Sequence, residues 1–164
     1  MTYLLDTSAL LAHYFHEPCA PIVDRLICGL DDATGICVTS LLEMCVRLTA
    51  QGVVPAERAR AIDVYQTTTQ RVWPVSLEVV HAAIELKAAV RPRLPAMDAL
   101  IAGCAMARGA TLVHKDPHFD AIPPGLLKTF RLPDAAEPAT SADVPGVVKE
   151  AGKPYKVGKR KTRV

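Results

Sequence analysis

Tyr3-Leu4-Leu5-Asp6-Thr7-Ser8-Ala9 runs three apolar side chains directly into a carboxylate, which two hydroxyls follow. The apolar run is too short for a helix and polar at its far end, so it reads as a buried strand closed by Asp6. Ala9-Leu10-Leu11-Ala12 then begins a short helix that reaches about Phe15. A strand that passes through an acid into a helix suits an open α/β sheet. In such sheets ligands bind in the crevice beyond the carboxyl ends of the strands.

Outward from this unit the same alternation continues. His16-Glu17-Pro18 breaks the first helix, residues 21–27 are spaced as an amphipathic second helix ending near Gly29, and Asp31-Asp32-Ala33-Thr34-Gly35 reads as a loop. Ile36-Cys37-Val38-Thr39 is a second apolar strand, leading into a helix that starts at Ser40 and stops before Gly52. Residues 55–70 have helical spacing, with Pro55 suited to a first turn. Val72-Trp73-Pro74-Val75 is a third strand, whose proline argues for an edge or a strand end. Helices are expected over 77–90 and 95–108, the latter capped by Gly109. Ala110-Thr111-Leu112-Val113 is a fourth strand ahead of an Asp116-Pro117 turn, and residues 126–132 a fifth. Repeated strand–helix alternation implies a three-layer α/β domain with a central, mostly parallel sheet of four or five strands flanked by helices.

Half of the 164 residues are hydrophobic, enough for one domain with a real core. No apolar run approaches the roughly 20 residues that span a bilayer. Residues 1–6 lack a basic region and bring an acid early, which argues against a secretory leader and for a cytoplasmic location. The five cysteines (Cys19, Cys28, Cys37, Cys45, Cys104) form no C-x-x-C pair and are odd in number, so buried free thiols are expected rather than disulfides or zinc. The net charge of +2 is unevenly spread. Residues 133–164 hold seven Lys or Arg against four Asp or Glu, which leaves residues 1–132 with 12 basic and 13 acidic side chains. The domain is therefore assigned to 1–132. Residues 133–164, rich in Pro, Ala, Gly and charge, read as a disordered basic tail able to add salt-sensitive affinity for nucleic acid.

Each acid near a strand end has a purely local role available to it. Asp6 can cap the helix that follows. Ser40-Leu41-Leu42-Glu43 fits a capping box, in which the glutamate reaches back to the first amide. Asp98 lies in the first turn of its helix, where the dipole favours negative charge. Asp116 precedes a proline in a turn, and Asp120 suits a solvated loop. Their joint placement says more. Asp6 and Asp116 follow strands, Glu43 lies one turn beyond another, and Asp98 is embedded in the apolar stretch Met97-Asp98-Ala99-Leu100-Ile101-Ala102. In a parallel sheet these positions fall on one edge. Two carboxylates about 5 Å apart repel by about 3 kcal/mol at an effective dielectric near 20, so a cluster of four calls for a cation. Oxygen donors favour Mg²⁺ or Mn²⁺ over zinc. Arg47, Arg91, Arg93 and Lys115 are candidate phosphate contacts, though each reads first as a solvated surface charge.

Leu4-Leu5-Asp6-Thr7-Ser8-Ala9-Leu10, Ser40-Leu41-Leu42-Glu43, Met97-Asp98-Ala99-Leu100-Ile101-Ala102 and Ala110-Thr111-Leu112-Val113-His114-Lys115-Asp116-Pro117-His118-Phe119 occur in this order. The set resembles PIN-domain ribonucleases, in particular the VapC-like toxins of toxin–antitoxin pairs. The resemblance covers residues 1–132 and none of the tail. It implies a PIN-like fold and a metal-dependent endoribonuclease in which Asp6, Glu43, Asp98 and Asp116 hold one or two Mg²⁺ or Mn²⁺ ions. Thr7 and Ser8 would support Asp6. His114 stands where many relatives carry Thr or Ser; it is a candidate for a supporting hydrogen bond or an RNA contact, and equally for a core or surface histidine, and Asp120 is a possible extra ligand. It also implies an RNA substrate, a homodimer, and a small antitoxin whose segment fills the acidic groove.

Three other readings compete. A housekeeping PIN nuclease in RNA processing would use the same acids without an antitoxin. A non-catalytic PIN-like module binding RNA or protein would lack or displace one of the four. A phosphatase of the HAD-like type would need a second aspartate where Ser8 stands, and is disfavoured.

Overall fold

The structure is a computed structural model that describes residues 1–29, 33–91 and 93–135. Most of the expected basic tail, from residue 136 onward, and Asp31 and Asp32 of the expected loop lie outside the described residues. Five strands, β1 (Thr2–Leu5), β2 (Ala33–Cys37), β3 (Arg71–Trp73), β4 (Thr111–His114) and β5 (Thr129–Arg131), form one sheet in the order β3-β2-β1-β4-β5. Every neighbouring pair is parallel, with Leu5 opposite both Ile36 and Val113. The helices are α1 (Thr7–Tyr14), α2 (Ala20–Cys28), α3 (Val38–Ala50), α4 (Pro55–Thr68), α5 (Leu77–Ala89) and α6 (Ala96–Ala107), with a 3-10 turn at Pro117–Ala121.

Side chains of successive strand residues face opposite ways, and here both faces are covered. Tyr3, Leu5, Ile36 and Val113 pack with Leu10, Val23, Leu26, Met44, Leu48 and Tyr65 from α1–α4. Leu4 and Leu112 pack with Val79, Leu86, Ile101, Ala102 and Phe119 from α5, α6 and the 3-10 turn. These two cores make the three layers, and continuous burial explains why β1 and β4 read as apolar runs rather than alternating ones.

Several boundaries differ from the sequence reading: β3 is Arg71–Trp73 rather than 72–75, β5 is the shorter Thr129–Arg131 rather than 126–132, and β2 and α3 both start early. Strand β2 begins at Ala33, inside the expected loop, because Thr34 is buried and its hydroxyl donates to the Leu26 carbonyl (2.5 Å). Gly35 leaves room for the Trp73 ring: a Cβ there would stand 2.5 Å from Trp73 Cζ3. Helix α3 begins at Val38 with Cys37 as its cap, two residues before the expected start at Ser40. Val38 and Thr39 are thus helix rather than strand. Of the cysteines, all free, Cys19, Cys37 and Cys104 are buried, Cys45 is half-buried and Cys28 is exposed. Among the described residues no helix is long and apolar enough to cross a membrane.

Candidate functional site

The chain places β2 and β3 on one side of β1, then returns to put β4 and β5 on the other. The strand order therefore reverses between β1 and β4, and a crevice opens at the carboxyl ends of that pair. Asp6 follows β1 and Asp116 follows β4 by two residues. Helices α3 and α6 bring Glu43 and Asp98 to the same crevice. All four acids line one cleft of about 240 Å³, together with Thr7, Ser8, Leu11, Phe15, Arg47 and Gln51.

Asp6 serves α1 and the cleft at once. Its Oδ2 accepts from the Ser8 amide (2.8 Å) and hydroxyl (2.5 Å), so it is the helix cap. Its own amide donates to the Val113 carbonyl (2.9 Å), tying β1 to β4 at the cleft floor. The Ser8 Oγ in turn accepts from the amides of Lys115 (2.8 Å) and Asp116 (3.2 Å). One hydroxyl thus joins the turns after both strands. Thr7 Oγ1 donates to Glu43 Oε2 (2.8 Å), linking α1 to α3.

Glu43 is not part of a capping box. With α3 starting at Val38 it lies in the second turn, facing Thr7 and, at 3.7 Å, the Arg47 guanidinium. Ser40 is buried, and its hydroxyl has no partner among the described residues. Asp98 occupies the first turn of α6 and is buried. Asp116 accepts from the His118 amide (2.8 Å) through Oδ1 and starts the 3-10 turn.

Burial pushes the Asp6 carboxyl up to about 7, against the pull of the Ser8 hydroxyl and amide, and the Glu43 charge adds to the rise. Burial likewise raises Asp98, helped by Asp116 and Glu43 and opposed by His118 and Arg47. Acids that resist ionisation chiefly because they are buried, and further because they face one another, are an arrangement a cation relieves. The four acids, Thr7 and Ser8 offer oxygen donors, which suit a hard divalent ion.

The remaining candidates separate clearly. His114 is fully buried, so it cannot contact RNA; its Nδ1 holds the Asp116 carbonyl (2.9 Å), its ring meets Phe119 edge-on, and burial depresses its basicity. Asp120 pairs with Arg131 and does not line the cleft. Lys115 pairs with Glu17 and with Asp134, and Arg91 binds carbonyls at the end of α5. Of the four basic candidates, Arg47 lines the cleft. Sequence reasoning gave His118 no role, yet its Nδ1 lies 3.0 Å from Asp116 Oδ1 and 3.3 Å from Asp98 Oδ2. The signal was its place two residues after the last acid, where Pro117 fixes the turn.

A second, larger hollow of about 880 Å³ lies between α1 and α4. It is lined by apolar groups that include Phe15, Val54, Val64 and Tyr65, and it meets the acidic cleft at Phe15, which borders both.

Comparison with known proteins places these features. The family model described as the PIN domain matches residues 3–123. No curated protein matches the chain by sequence. Among solved structures, a chain of VapBC2 from Rickettsia felis bound to a DNA fragment from their promoter superposes with a TM-score of 0.67 at 20% identity, covering 81% of this chain and 100% of that one. DNA-bound VapBC from Salmonella typhimurium gives 0.64 at 16% identity, over 80% and 98% of the two chains. VapBC-1 from nontypeable Haemophilus influenzae gives 0.62 at 20% identity, over 80% and 98%.

Proposed function

Because the chain belongs to the PIN domain family, we propose that it is a metal-dependent endoribonuclease and the toxin of a toxin–antitoxin pair. The observation that carries this reading is the convergence of Asp6, Glu43, Asp98 and Asp116, from four separate segments, on one cleft at the strand-order reversal. Asp6, Asp98 and Asp116 are the residues that would hold a divalent cation, with Glu43 beside them. A bound Mg²⁺ or Mn²⁺ would supply a nucleophile at neutral pH and neutralise charge developing on the phosphate.

The protein's own contribution is position. Ser8 fixes Asp6 relative to the turn carrying Asp116, and Thr7 fixes Glu43 relative to both. Arg47 stands at the rim, where its guanidinium can meet a backbone phosphate of the RNA while its partner Glu43 stays in the cleft. Leu11 and Phe15 supply the apolar part of the cleft lining.

Asp98→Asn keeps the shape of the side chain and removes its charge. We expect it to fold normally and to lose ribonuclease activity by more than the roughly 10- to 100-fold typical of groups that only support a ligand. Undiminished metal-dependent cleavage in that variant would overturn the assignment.

Two apolar surfaces support the partners. The hollow between α1 and α4 adjoins the acidic cleft at Phe15, so an antitoxin segment lying in it can continue into the cleft and block the acids. On α3, Val38, Leu42 and Val46 recur every four residues and are all exposed, a stripe that suits a second copy of the chain. Growth arrest on expression, relieved by a small co-expressed neighbouring protein, tests the toxin reading against a housekeeping nuclease.

A further inference from the structure

Among the described residues, His118 carries the one imidazole that meets the side chains of the cleft's carboxylates. Asp116 Oδ1 accepts the His118 amide, Pro117 stiffens the turn between them, and the side chain folds back over the acid it follows. Nδ1 then stands 3.0 Å from Asp116 Oδ1 and 3.3 Å from Asp98 Oδ2. One donor atom from each of Asp98, Asp116 and His118 lies within 4.8 Å of the other two. Neighbouring ligands of a six-coordinate ion with bonds of ~2.1 Å are about 3 Å apart, so Nδ1 is spaced from each carboxylate oxygen as an adjacent corner of one coordination shell, and the two carboxylates lie close enough to share it.

The other imidazole near Asp116 is differently used. His114 is buried with its Nδ1 on the Asp116 carbonyl, whereas His118 is about half exposed and meets the cleft acids side chain to side chain. Nitrogen at a carboxylate site changes which ion is preferred. Mg²⁺ takes oxygen ligands almost exclusively, while first-row transition ions accept imidazole readily. Resting on the metal site proposed above, we infer that His118 Nδ1 is a direct ligand to the cation shared by Asp98 and Asp116, and that it makes this site select Mn²⁺ over Mg²⁺.

A simple hydrogen bond from His118 to the acids would show the same spacing, and the test must separate the two. Pulsed electron paramagnetic resonance of Mn²⁺ bound to the full chain reads nitrogen coordination directly. The wild-type spectrum is expected to carry ¹⁴N modulation from a bound imidazole, and His118→Gln to lose it while still binding Mn²⁺. Competition titration with Mg²⁺ should show the preference for Mn²⁺ falling about tenfold or more in the same variant. Bound Mn²⁺ without ¹⁴N modulation, or modulation that survives His118→Gln, overturns the role of His118 and leaves the carboxylate site standing. Absence of any Mn²⁺ binding overturns both.

Discussion

The Ser8 hydroxyl donates to Asp6 and accepts from the amides of Lys115 and Asp116, so one small side chain sets the distance between two acids more than a hundred residues apart in sequence. Ser8→Ala keeps the amide that caps onto Asp6 but strands two backbone donors, each worth about 1–3 kcal/mol when buried unpaired. We expect a measurable loss of stability and a fall in metal affinity of roughly 10- to 100-fold, read by calorimetric titration. Asp6 carries a second expectation. Its folded carboxyl titrates near 7, above the ordinary value of 3.8, so between those two pH values the folded state holds a proton that the unfolded chain has released. The contribution of Asp6 to the stability of the metal-free protein should therefore be full below about 4 and be lost as pH rises to about 7, by an amount on the order of 4 kcal/mol. Thermal unfolding in chelator across this range checks it, and Asp6→Asn, which retains the cap, should flatten the slope. Cation binding favours the ionised form, so added Mn²⁺ should protect most at the upper end.

At the level of elements, the sequence was most legible where hydrophobic pattern and local chemistry agreed. β1 and β4 are buried on both faces and read directly as apolar runs ending near Asp6 and Asp116. Helix α6 was equally clear, because Pro95 opens it and Gly109, at φ +59°, closes it. The start of β2 was hidden. Ala33, Thr34 and Gly35 offer no large apolar side chain, and what makes them a strand is tertiary: a threonine hydroxyl finding the Leu26 carbonyl and a glycine making room for Trp73. The same limit applied to α3, whose early start comes from the end of β2 rather than from a capping side chain, and which moved Glu43 out of an apparent capping box into the cleft. Gly35→Ala tests the packing claim. A methyl would meet both the Trp73 ring and, at 2.8 Å, the Arg71 carbonyl, so we expect a loss of about 1–3 kcal/mol in denaturant unfolding at unchanged slope.

Across the whole molecule, uncovered apolar side chains include the α3 stripe around Glu43 and the lining of the α1–α4 hollow, with Leu77 and Ile84 exposed on α5. Leu42, 60% exposed at the middle of the α3 stripe, is the position at which the second-copy reading can be tested without touching the cleft. Leu42→Asp should convert the species seen by light scattering from dimer to monomer while leaving the unfolding midpoint of the monomer nearly unchanged. A wild-type chain that is already monomeric at micromolar concentration would remove the basis for that assignment. The strand order has a consequence of its own. Of the five strands β1 is made first, yet its partner across the cleft is β4, which is made more than a hundred residues later. Until that late strand slides in beside it, Asp6 lacks both the Val113 carbonyl for its amide and the neighbour that supplies Asp116. On the reading proposed above, a growing chain therefore carries no assembled cutting edge for most of its synthesis, and the hazard to the cell that makes it is confined to the finished domain.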